Sequence, residues 1–298
     1  MKYKNVLLEI KDKIATITLN RPEKLNAIND AMLREFEAAL GEVRDDEDSW
    51  VVIIKGAGRS FSTGQDLSGV GTDRVMPPNP RRKAYVSDMF TTALQNSLMW
   101  QSIFELPKRT IAQVHGYCLG AGLDLAMLCQ TIIATDDAIF GDPSVRMGLA
   151  SSNPLWTFRV GLKKTKELLL TGKYMDGREA ERIGLIMKAV PSDQLEDEVG
   201  LAADSFIKST NIGGRDGVVD VWATNMTILD IGGLSAARKF AAHIHALSAI
   251  QRPGRSIIDC GEFNFYDTRE KKGLRAAIEE RDAPFREFFP LPQQTKGR

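Results

Sequence analysis

Three short runs, WVVIIKG (50–56), TIAQVHG (110–116) and TIIAT (131–135), are apolar without alternating. A strand that alternates buries one face. A strand that is apolar throughout has to be covered on both, and this is the habit of parallel strands inside an α/β core. The helical stretch AGLDLAMLC (121–129) stands between the second and third runs with short joints, so strand, helix and strand imply right-handed crossovers. Ahead of them, residues 5–20 show two apolar runs parted by the polar KDK, and Ile14, Thr16 and Thr18 alternate with Ala15, Ile17 and Leu19, which predicts an opening hairpin. Asn29 or Asp30 can cap a helix in which Met32, Leu33, Phe36, Leu40 and Val43 recur at helical spacing, ending near the acidic DDED.

Beyond about residue 161 the pattern is mostly helical: KKTKELLL, then DGREAERIGL, then a long helix from about Asp193 to Ser209. The last hundred residues hold more apolar helix, including VWATNMTILDIGGL and AARKFAAHIHALSAI, than one layer can cover. This surplus predicts a helical extension packed on a partner subunit. Between Leu67 and Tyr85 the chain is aperiodic and rich in Gly and Pro, which predicts a mobile loop over residues 68–84 that covers a site. The division expected is a core over 1–200 and a helical oligomerisation region over 201–298.

A chain of 298 residues can bury a substantial core. Its 39 basic and 39 acidic residues cancel, so it has no long-range pull toward nucleic acid or anionic membrane. Cys118, Cys129 and Cys260 are odd in number, lack metal-ligand spacing and lie mostly among apolar neighbours, as reduced packing thiols of a cytoplasmic protein do. The N-terminus carries charges every few residues, and no run approaches the ~18 apolar residues of a membrane span. His115 ends an apolar strand and is expected to satisfy a buried hydrogen bond. His243 and His245 lie on an amphipathic helix without ligand partners, so no metal site is expected.

Two glycine-rich joints carry chemistry. In GYCLGAGLDLA (116–126), Gly120, Ala121 and Gly122 follow a strand and open a helix, leaving N–H groups unpaired at the positive end of the helix dipole. As a dinucleotide fingerprint it fits poorly, because Leu125 stands at the third glycine position and YCL separates strand from glycines. GAGRSFSTGQDL (56–67) follows WVVIIKG and alone would be an ordinary loop. Two such strand-terminal loops can aim two N–H groups at one oxygen, the geometry of an oxyanion hole.

LNRPEKLNAI (19–28), GAGRSFSTGQDL, HGYCLGAGLDLAMLC (115–129), AIFGDPSVRMGL (138–149) and LLLTGKYMDGREAERIGLI (168–186) resemble, in order and spacing, the crotonase (enoyl-CoA hydratase/isomerase) superfamily. The resemblance covers residues 5 to about 195, and KKGLRAAIEERDAPF (271–285) resembles that family's closing helix. It implies an α/β fold, a crotonase-like ββα spiral core with a helical C-terminal trimerisation region. It implies an acyl-CoA substrate, with no cofactor beyond the coenzyme A the substrate carries, and a homotrimer or dimer of trimers. By the same resemblance the thioester oxygen would be held by the N–H groups of Gln65 and Ala121, which stabilise an enolate-like state. Lys24, Leu25, Ala27, Gly64, Asp66, Leu67 and Gly120 would line the CoA path.

The family's hydratases use two glutamates, whose positions here hold Asp124 and Ser144. Asp124, three residues past Ala121 and hence on the same helical face, is the candidate general acid/base; the alternative is that it merely offsets the helix dipole. Family dienoyl-CoA isomerases carry an aspartate at position 124, but their other acids would fall at Ser144 and Ser152. Asp142, Ser144, Ser151, Ser152 and Asn153 are candidates to position a water or substrate group, although Asp142 before a proline fits a turn. Trp156 and Phe158 read as packing. Phe263, Phe265 and Tyr266 either reach the acyl-CoA pocket or pack together. The reading is a hydratase-type lyase; isomerisation, hydrolysis of a thioester or C–C bond, and a CoA-binding protein with little turnover are the alternatives.

Overall fold

The expected hairpin is β1 (Val6–Lys11) and β2 (Ile14–Leu19), paired antiparallel from Val6 with Leu19 to Lys11 with Ile14. Its two turn residues, Asp12 and Lys13, both have positive φ, the geometry of a tight two-residue hairpin turn. In the computed structural model, which describes residues 3–68, 102–151, 153–249 and 263–286, β2 begins a parallel array with β3 (Val51–Gly56), β4 (Arg109–Val114), β6 (Thr131–Thr135) and β8 (Lys188–Val190). The sheet order is β1-β2-β3-β4-β6-β8.

The three unalternating runs occupy adjacent central positions, and β3 explains their composition. Val52 and Ile54 join the core under α1 (Asp30–Asp45), while Val51 and Ile53 join a second core formed with α5 (Leu195–Ile231). Both faces of the sheet are covered, so neither can be polar. Helix α1 starts where expected, with the Asn29 side chain accepting from Met32 N at 2.9 Å. At its other end Lys108 Nζ donates to the carbonyls of Val43 and Asp46, placing a cation on the negative end of the helix.

A second, smaller parallel sheet pairs β5 (Tyr117–Leu119) with β7 (Ile139–Gly141), and single bridges extend it to Ser62 and Met175. The chain therefore repeats a path: β4 in the large sheet, β5 in the small one, then helix α2 (Ala121–Leu128); next β6, β7 and helix α3 (Leu155–Thr171). This is the ββα spiral, and α4 (Gly177–Arg182) precedes its last strand. Cys118 and Cys129 are buried free thiols, as expected of packing residues.

The long helix differs from its expected extent. Helix α5 does not stop near Ser209 but runs from Leu195 to Ile231, passing residue 200 and breaking only at Gly214 (φ 75°, ψ 166°). Its start packs on the sheet through Leu195, Val199 and Ala203. Past the break, Val221, Ile228 and Ile231 are exposed, the last at 82%, and so is Phe240 on α6 (Leu234–Ala249) at 68%. Helices α7 (Phe265–Lys272) and α8 (Leu274–Asp282) follow. The loop expected over 68–84 beyond Ser68, together with Ser152, Cys260 and the side chain of His245, lies outside the described residues.

Candidate active site

Three segments far apart in sequence are bound into one floor. Asn26, fully buried with φ 53°, donates from Nδ2 to the carbonyls of Ala57 and Ser60 and accepts from Arg21 N. Ser62 donates its hydroxyl to Asn26 O (2.8 Å) and receives Gly64 N (3.1 Å). Its backbone pairs with the third segment, Ser62 N to Tyr117 O and Leu119 N to Ser62 O. The LNRPEKLNAI loop, the GAGRSFSTGQDL loop and the GYCLGAG joint thus fix one another.

The glycines follow from this contact. A Cβ on Gly122 would lie 2.7 Å from Ser62 Cβ, and one on Gly64 would lie 2.6 Å from Leu119 O and 3.2 Å from Ala121 N. Gly120 instead has open space around it, but holds φ 49°, ψ −124°, which a side chain disfavours. Bonds from Ile28 N to Gly64 O and from Asp66 N to Ile28 O flank Gln65 and leave its N–H without an acceptor among the described residues. Ala121 opens α2 after a glycine that has no side chain to cap it, and its N–H also has no acceptor there. Two unspent N–H groups therefore sit on adjoining segments, one of them at the positive end of a helix.

Asp124 lies one turn into α2, and its carboxylate caps nothing. Its only hydrogen bond among the described residues is from Asn153 Nδ2 to Oδ1, at 2.9 Å. Burial, then the charge of Asp142, push its carboxyl up to about 8, against the opposing pull of the Asn153 bond. Asp142 has the turn role expected: Oδ1 accepts Ser144 N at 3.0 Å and the Ser144 hydroxyl, capping the 3-10 turn Pro143–Met147. The half-buried Ser144 thus gives its proton to Asp142 and not to Asp124. Ser151 Oγ and the indole N–H of the fully buried Trp156 find no partner among the described residues, whereas Phe158 is exposed.

Of the residues expected along the CoA path, Lys24 is exposed at the end of a 3-10 turn and Leu25 follows in the left-handed region. Leu25 O accepts Thr63 N, Ala27 O accepts Arg21, and Leu67 is half-buried. Asp66 is already paired with Arg21 at 2.9 Å and accepts Ser68 N, so its carboxylate fastens the loop; burial opposes the charged form, but these bonds together hold its carboxyl below the usual range. His115 keeps the expected hydrogen bond, to Gly58 O at 2.8 Å, but is half-exposed, because β4 ends at Val114 and the ring leaves the core. Among the described residues no group of three His, Cys, Asp or Glu could hold a metal. Phe263, Phe265 and Tyr266 form edge-to-face pairs, and Arg269 on α7 donates to Ser68 O at 2.6 Å.

The family model for enoyl-CoA hydratase/isomerase matches residues 9–213. The chain belongs to the enoyl-CoA hydratase/isomerase family. It is 36% identical over 209 residues to a probable enoyl-CoA hydratase of Mycobacterium bovis, covering 69% of this chain and 76% of that one. To the crotonyl-CoA hydratase of Syntrophomonas wolfei it is 31% identical over 294 residues, 96% of this chain and 99% of the other. A solved enoyl-CoA hydratase/isomerase from Xanthobacter autotrophicus shares the crotonase fold at a TM-score of 0.80 and 30% identity, covering 95% of this chain and 99% of that structure.

Several supports of this candidate site were not legible in the residue pattern. Arg159 donates to Met127 O and Cys129 O, both at 2.6 Å, and so closes the C-terminal end of α2. Arg146, buried on the 3-10 turn of Ser144, is paired with Asp282 at 3.1 Å and stacks near Tyr174 and Phe285; Asp282 also binds Arg281. This cluster ties the tail to the site. Asn153 sits in the sequence SNP, a helix-start signal that points to its capping bond from Leu155 N (2.9 Å) but gives no sign of Asp124.

Proposed function

We propose that this enzyme adds water across the conjugated double bond of an enoyl-CoA, with the thioester oxygen between the N–H groups of Gln65 and Ala121. The observation that carries this reading is the pair of unspent donors on interlocked loops with Asp124 one helical turn away. As water attacks the β-carbon, negative charge moves onto the thioester oxygen, where preorganised donors stabilise it, each worth about 3–4 kcal/mol in comparable sites. Asp124, ionised, accepts the water's proton and returns it to the α-carbon, so one carboxylate completes the addition. The names of the relatives in Syntrophomonas and Mycobacterium support the same chemistry.

Isomerisation of the double bond is the second reading. It is favoured by one observation: the Ser144 hydroxyl is turned to Asp142, so no second acid is offered at the position where family hydratases have one. Lys24, Leu25, Ala27, Gly64, Asp66, Leu67 and Gly120 are proposed to line the CoA path, and no further cofactor is required. The exposed apolar residues of α5 and α6 support assembly as a homotrimer or a pair of trimers. Among the described residues no helix is long and apolar enough to cross a membrane, and the two buried thiols suit a cytoplasmic setting.

The test is turnover of crotonyl-CoA and longer enoyl-CoA compounds, followed by loss of the conjugated thioester absorbance. Asp124→Asn is expected to abolish turnover while CoA binding persists. Unchanged turnover in that variant would remove Asp124 from the mechanism, and binding without turnover of any acyl-CoA by the wild type would leave a CoA-binding protein.

A further inference from the structure

Asn153 holds Asp124 in a defined way. The amide of an asparagine can present either its oxygen or its nitrogen, but here the choice is made by the backbone. Leu155 N, at the start of α3, can only donate, and it meets Asn153 Oδ1 at 2.9 Å. The NH2 end is thereby turned to Asp124 Oδ1, 2.9 Å away. Asp124 is itself fixed by its backbone, whose N–H bonds to Gly120 O at 2.9 Å. Its Oδ2 has no hydrogen-bond partner among the described residues. The hydroxyl oxygen of a carboxylic acid is a poor acceptor, so a proton on Oδ1 would weaken the bond to Asn153, and a proton on Oδ2 leaves it intact.

We propose that Asn153 is a positioning residue for proton transfer at Asp124: it clamps Oδ1 and leaves Oδ2 as the one oxygen that takes up and returns the proton. This rests on the assignment of Asp124 as the acid/base. The other groups that bear on the carboxyl are Asp142, whose charge opposes its ionisation, and Cys118 on β5, a thiol that burial and then Asp124 keep protonated. Neither Asp142, which is occupied by Ser144, nor the neutral Cys118 replaces the donor that Asn153 supplies. Asn153 also separates two duties, since its oxygen caps α3 and only its nitrogen serves Asp124.

That separation makes the experiment clean. Asn153→Ser and Asn153→Asp both keep an oxygen for Leu155 N–H and both remove the amide NH2 that meets Asp124, the aspartate when ionised leaving no donor there and the serine only a shorter hydroxyl. The Asp124 carboxyl is followed in the full-length protein by carbon NMR of labelled aspartate, with Asp124→Asn locating the signal, and kcat and KM for crotonyl-CoA are measured against pH. The expected result is a titration midpoint roughly one to two pH units higher in Asn153→Ser, because a donor to a charged group is lost. Asn153→Asp moves further the same way, because a like charge is added. The acidic limb of kcat follows, KM changes little, and melting temperature is preserved. A midpoint and pH profile left at wild-type values in both variants would show that Asn153 only caps α3. Full turnover by Asp124→Asn would instead overturn the assignment beneath it, an outcome read from that variant alone.

Discussion

Asp124→Asn carries a stability signature that is independent of any substrate. In the folded chain the Asp124 carboxyl lies at about 8, against an ordinary 3.8, with burial the larger cause and Asp142 the second. Below about pH 4 the group is protonated folded or unfolded, and contributes no pH dependence. As pH rises from there the unfolded chain releases this proton and the folded chain keeps it, so wild-type stability is lost steadily until the folded group also ionises near pH 8. An asparagine removes the titration and preserves an oxygen for Asn153. The stability difference between variant and wild type should therefore grow with pH at up to about 1.4 kcal/mol per unit and level off near pH 8, reaching on the order of 5 kcal/mol at most. Part of this gain is surrendered if water reaches the half-buried side chain. Urea unfolding of both proteins at pH 5, 6, 7, 8 and 9, at one protein concentration, measures it, and the titrating groups that do not feel the charge of Asp124 cancel in the difference. A gap that stays flat between pH 5 and 8 would mean that Asp124 is ionised throughout, and would refute the burial argument.

Gly122→Ala places a methyl 2.7 Å from Ser62 Cβ and should destabilise by about 1–3 kcal/mol while lowering kcat more than it raises KM, read by denaturation and steady-state kinetics. Asp282→Ala strands the buried Arg146 and Arg281 without their shared carboxylate; a loss of about 3–5 kcal/mol and earlier proteolysis of the tail are expected. If the exposed apolar residues of α5 and α6 form the subunit contact, Ile231→Glu with Phe240→Glu should reduce the mass found by sedimentation to that of the monomer, and an unchanged oligomeric mass would place the contact elsewhere.

Much of the core was legible because burial on two faces leaves a direct mark on composition: β3, β4 and β6 are apolar throughout, and α1 shows both its cap and its stripe. The joints were legible as places where side chains are absent, although the reason was not. Gly122 is small for Ser62 and Gly120 for its backbone angles, so neither glycine is itself evidence of a ligand. Helix α5 misled because NIGGRDG, with three glycines, has the composition of a helix end; the chain spends one of them, Gly214, on a sharp bend and resumes the helix. Asn153 was a candidate, but its pairing, like those of Arg146 and Arg159, was beyond the pattern for a simple reason. Their partners lie 29, 136 and about 30 residues away, and such pairings come from the packing of elements rather than from local spacing.

The serine at position 144 changes the electrostatics of the site more than a missing acid would suggest. Its hydroxyl and N–H both serve Asp142, which holds that carboxylate in the turn and within reach of Asp124. The charge of Asp142 and the burial of α2 raise the proton affinity of Asp124, and Asn153 lowers it. The balance near pH 8 leaves both protonation states of one carboxyl populated close to neutrality, which is the condition for an efficient acid/base. A single group in that condition can accept the proton of an attacking water and return it to carbon, or lift a proton from one carbon and place it on another. What then separates hydration from isomerisation is whether water has a place beside Asp124. Ser151 Oγ and Trp156 Nε1, buried on the segment that also carries Asn153, are polar atoms whose hydrogen-bonding capacity is unspent among the described residues.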